Sequence, residues 1–109
     1  MNIRRKRRHS RLEESDGEAI RNAVLDYISS SHESDVLSLR EEILQSEPEV
    51  DEQGNLHIGQ WVYHFESNTL RKYLPPDRHV GYDYSLQLRR HGSVWKVVNL
   101  NRIEVFRSE

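Results

Sequence analysis

Tyr82, Tyr84, Asn99 and Asn101 are the polar side chains whose spacing best suits a binding site. Residues two apart project from one face of a strand, and phenol and amide groups together offer donors and acceptors to a small ligand. Tyr27 and Trp61 could complete such a lining. A buried asparagine left without partners costs about 1–3 kcal/mol, so these amides must be bonded or wet. The alternative is that the sheet outruns its helical cover there and leaves the four at a solvent or dimer boundary.

Other chemistry finds little support. His57, His64, His79 and His91 include no two imidazoles four apart on a helix, so surface histidines are expected and no metal is assigned. Asp51 and Glu52 lack the alternation of acidic ligands around a glycine that a calcium loop needs. No serine sits in a glycine-flanked elbow, the five glycines are isolated, and there is no cysteine. No catalytic residue and no cofactor is therefore assigned.

The net charge of −2 conceals a segregation: residues 1–11 carry +6, residues 12–55 carry −11 and residues 56–109 carry +3. The arm's cations are Arg4, Arg5, Lys6, Arg7, Arg8 and Arg11, with only Ile3 to bury. Residues 1–14 are thus expected to form a disordered basic arm ahead of one domain, 15–109. The arm either contacts nucleic acid or another acidic partner, or is a solvated tail meeting the acidic block of its own chain. No apolar run reaches the length of a membrane span, which together with the lack of cysteine fits a cytoplasmic protein without a membrane partner.

The elements that must position these residues follow from period. Tyr82, Tyr84, Leu86 and Leu88 alternate with polar residues, and the chain returns as Val94 to Phe106. With His91-Gly92 at the turn centre, Leu88 faces Trp95, Leu86 faces Val97, Tyr84 faces Asn99 and Tyr82 faces Asn101. Val94, Val98 and Leu100 then form an apolar row on the outer face. Upstream, Leu56 and Ile58 share one parity and Trp61, Tyr63 and Phe65 the other, which a bulge at Gly59 would reconcile within one strand. Ser67-Asn68 reads as a two-residue hairpin loop, setting Phe65 against Leu70.

The N-terminal half reads differently. Ser15 and Glu18 suggest a capping box, followed by Ile20, Ala23, Val24, Tyr27 and Ile28 at helical spacing. Ser29 to Ser31 end that helix. Asp35 can cap a second segment, Val36 to about Gln45, with Glu41 and Glu42 outward; a strand for its last part is the alternative. Glu47 to Glu52 forms an acidic connector. The expected fold is α+β, with one or two N-terminal helices on one face of a curved antiparallel sheet of about four strands.

This layout, closing on Gly92-Ser93-Val94-Trp95-Lys96-Val97, resembles the NTF2-like, cystatin-like α+β superfamily over about residues 16–106. That resemblance implies a container shared by small-molecule enzymes, binding modules and dimerisation domains, and selects none of them. The expected function is a non-enzymatic interaction domain that forms a homodimer through its sheet. Nucleic-acid association through the arm and a ligand-binding or catalytic cone are the rivals.

Overall fold

The computed structural model describes Leu12 and residues 14–108. The cationic arm residues lie outside the described residues. Leu12 itself is buried in the core.

Helix α1 (Glu14–Ser29) buries Ile20, Val24 and Ile28, the stripe that its period predicts. It opens at Glu14, so Ser15 lies in its first turn and does not cap it. Its end follows expectation: the Ser30 hydroxyl donates to Tyr27 O at 2.8 Å, and Ser31 N–H donates to Ile28 O. Residues 36–45 are helical throughout, within α2 (Ser34–Gln45), which buries Val36, Leu39 and Ile43. The cap is Glu33, with no side-chain bond, and Asp35 occupies the first turn. Arg21 of α1 supplies the other end, donating to Ile43 O, Leu44 O and Ser46 O. A helix terminus leaves its last carbonyls without intrahelical amides, and Arg21 completes this one, sharing Ile43 O with the Ser46 N–H.

Six antiparallel strands follow as an open meander in chain order: β1 (Pro48–Val50), β2 (Leu56–Ile58), β3 (Trp61–His64), β4 (Thr69–Lys72), β5 (Val80–His91) and β6 (Val94–Phe106). Two strands more than expected arise in two places. The acidic connector contributes β1, paired with β2 through Pro48↔Ile58. The parity change at Gly59 is a hairpin, not a bulge: Ile58 pairs with Trp61 across Gly59-Gln60, and Gly59 has φ +60°. Glycine recurs as a spacer at Gly17, where a Cβ would come within 3.0 Å of Pro48 Cβ, letting α1 approach β1 closely.

The next loop is four residues long, not two. His64 pairs with Thr69, leaving Phe65 to Asn68 outside the ladder. Asn68 fixes this loop from a left-handed conformation (φ 56°): its carboxamide accepts from the Tyr63 hydroxyl and donates to Leu88 O at 2.9 Å. Gln87 reinforces it by donating to Ser67 O and Asn68 O.

The long hairpin departs from its expected register twice. The tip is Gly92-Ser93, with His91 opposite Val94, so Leu88 faces Val97 and Trp95 faces Arg90. This two-residue shift preserves parity, and Leu88 and Trp95 remain buried. A bulge then leaves Val98 unpaired between Leu88↔Val97 and Gln87↔Asn99. Beyond it the parity of β6 reverses: Leu86 faces Leu100, Tyr84 faces Arg102 and Tyr82 faces Glu104. Regular alternation would have turned Leu100 outward and put two asparagine amides toward the core. The bulge exchanges those amides for Leu100, which packs against the core.

Leu56, Ile58, Trp61, Tyr63, Leu70, Leu86, Leu88 and Trp95 share one cluster with the buried residues of both helices. Register places all eight on one side of the sheet. The opposite side carries Val62, Arg71, Ser85 and Asn101 in one cross-strand row.

Candidate functional site

The residues singled out from sequence divide between the two sides. Trp61, Tyr84 and Tyr82 come together on the core side, with ring centroids 6.2 Å apart for Trp61–Tyr84 and 6.0 Å for Tyr82–Tyr84. Asn99 and Asn101 lie on the other side, opposite Gln87 and Ser85, because the Val98 bulge carries them there. Tyr27 stands apart, lining an open hollow of about 370 Å³ with Ala23, Asp26, Trp95 and Lys96. Asn101 borders a second hollow of similar volume that Tyr84 and Arg102 also reach, with Arg71, Tyr73, Asp83, Ser85 and Ile103, so Tyr84 and Asn101 are the two predicted residues that share a hollow.

What joins the tyrosines is ionic, and sequence reading missed it. Arg102, turned to the core side by the bulge, forms ion pairs with Asp35 and with Glu33 at the start of α2. Its guanidinium also sits 5.7 Å from the Tyr82 ring centroid. The Tyr84 hydroxyl donates to Asp35 Oδ2 at 3.4 Å. Burial works against the charged form of Asp35, but the bond and charge of Arg102, with two backbone bonds, outweigh it and hold the carboxyl below its ordinary range. The Tyr84 phenol moves up, first through burial and then through the Asp35 charge, so it stays protonated at neutral pH. Lys72 meets Glu42 at 2.6 Å nearby, so Glu42 is not a free outer-face acid. Cation, carboxylates and phenol satisfy one another, and this arrangement fixes α2 to β6 rather than presenting a poised base.

Two buried nitrogens have no partner among the described residues, Trp61 Nε1 and His64 Nε2. His64 meets Tyr73 edge-on at 6.2 Å. His57 pairs with Asp51 at 3.2 Å, and His91 is exposed at the end of β5. No group of three potential metal ligands occurs among the described residues.

The margins of the sheet differ sharply. One is β1, three residues long and opening on a proline. The other is β6, thirteen residues with neither proline nor glycine. Val94 (59% exposed), Ile103 (65%) and Phe106 (70%) lie along it. The outer-face row expected from Val94, Val98 and Leu100 does not exist as such: Val98 is in the bulge and Leu100 is half-buried on the core side. The apolar surface of β6 lies instead along its edge and base.

No protein-family model matches the chain, and no match is found among curated proteins or solved structures. Among the described residues no helix is long and apolar enough to cross a membrane.

Proposed function

We propose that the chain is a small interaction domain that self-associates through its sheet, by the β6 edge. In this reading the two helices cover one side of the sheet and β6 remains the surface to be completed. The observation that carries it is the asymmetry of the margins: a three-residue, proline-headed β1 against a thirteen-residue β6 bearing exposed Val94, Ile103 and Phe106. An edge of that length offers a row of unpaired backbone donors and acceptors, which proteins either blunt or use for pairing. Light scattering across a concentration series tests it. The mass should rise from 13.0 kDa toward twice that value. A constant monomer mass sinks the reading.

The charge segregation of the sequence favours a second reading, nucleic-acid association through Arg4, Arg5, Lys6, Arg7, Arg8 and Arg11. Each phosphate contact contributes about 0.9 to the salt-dependence slope on duplex DNA, so deleting residues 2–11 should flatten it. An unchanged slope, or no binding at low salt, removes this alternative.

A further inference from the structure

The backbone phase of β6 is fixed at its base. Arg107 N–H donates to His79 O at 2.8 Å. Antiparallel ladders alternate, so Val105, Ile103 and Asn101 also turn their amides toward β5. Leu100, Arg102, Glu104 and Phe106 turn theirs to the free margin. Those four side chains all point to the core side of the sheet, while Asn101, Ile103 and Val105 point to the other.

We infer that this segment pairs antiparallel with the same segment of a second copy, about a two-fold axis at Ile103; the inference rests on the self-association proposed above. Centring the axis there puts Arg102 opposite the partner subunit's Glu104 and Leu100 opposite the partner subunit's Phe106, each twice. Ile103 meets its own counterpart. Side chains then match in charge, in polarity and in the side they face, as an isologous contact requires. Centring on Arg102 opposes two guanidinia, and centring on Glu104 opposes two carboxylates. Centring on Asn101 sets Arg102 against Leu100. Glu104 is exposed and forms no ion pair among the described residues, so its carboxylate is available. Arg102 uses two nitrogens on Glu33 and Asp35, and a guanidinium has five N–H donors. Val98 ends the pairing on one side, because its extra residue interrupts the regular edge.

Because the chain has no cysteine, a single introduced thiol reports the register. At the two-fold axis Ile103 forms a non-hydrogen-bonded pair with its counterpart. Its Cα separation of about 4.5 Å falls inside the disulfide range. Under mild oxidation, Ile103→Cys should run mostly as a covalent dimer, while Ser93→Cys, at the exposed tip, stays monomeric. Glu104→Pro removes an amide that faces only the partner, so it should give a monomer with the parent circular dichroism spectrum. A parent that is dimeric by mass while Ile103→Cys does not cross-link, or while Glu104→Pro remains dimeric, overturns this register and leaves self-association standing. A parent that is monomeric at every concentration overturns both.

Discussion

Several side chains here are held by partners far away in sequence. Trp61 is fully buried yet its indole N–H has no acceptor among the described residues. An orphaned buried donor costs about 1–3 kcal/mol, so Trp61→Phe should lose less than ~1.5 kcal/mol in urea unfolding. Trp61→Ala should lose about 3–5 kcal/mol, since nothing replaces the ring. Asp35 makes a prediction in pH. Its folded value is depressed, so its contribution is complete above the unfolded carboxyl value of about 4 and fades as pH falls through the folded value. The melting-temperature gap between the parent and Asp35→Asn should therefore be widest at neutral pH and close in strong acid. A gap independent of pH would show that the ion pair with Arg102 is not its source. The Asp35–Arg102 pair was not legible in the sequence, because Arg102 reads as outward in an unbulged strand and Asp35 reads as a helix cap.

Elements were read more successfully than their junctions. Helical period marked Ile20, Val24 and Ile28, and the change to period two marked where the sheet begins, because burial on one side imposes those periods directly. Junctions depend on turn geometry, which composition signals weakly. Gly59 supports either a bulge or a hairpin, and Asn68 closes a longer loop through side-chain bonds that no local pattern announces. The Val98 bulge leaves a different trace: adjacent Val97 and Val98 let the apolar row continue in either parity, and the sign of the switch is that Asn99 and Asn101 would otherwise face the core. Deleting Val98 should remove the unpaired residue and leave Leu86↔Leu100 and Tyr84↔Arg102 in register, so Leu100 stays inward and the Arg102–Asp35 pair survives. The expected cost is below about 1.5 kcal/mol, read by chemical denaturation, and a larger loss would show that the bulge itself shapes β6. Between helices, Arg21→Ala should cost about 1–2 kcal/mol by releasing two α2 carbonyls and that of the cap residue Ser46. Lysine should not rescue it, because one ammonium cannot reproduce the planar fork.

At the scale of the molecule, the α+β class follows from a helical half preceding a stranded half, and that much was plain from period alone. Which surface remains to be completed was not. Alternation alone assigned β6 an apolar outer row, whereas the bulge gathers Leu100 into the core and leaves Ile103 and Phe106 near the base of a hairpin. The candidate binding residues separate for the same reason, three aromatics on one side and two amides on the other. Amide hydrogen exchange, resolved by residue in dilute and concentrated samples, tests edge pairing most directly. The amides of Leu100, Arg102, Glu104 and Phe106 should exchange fast when dilute and slowly when concentrated, while Ile103 and Val105 stay protected in both. Fast exchange of those four at every concentration would contradict the account.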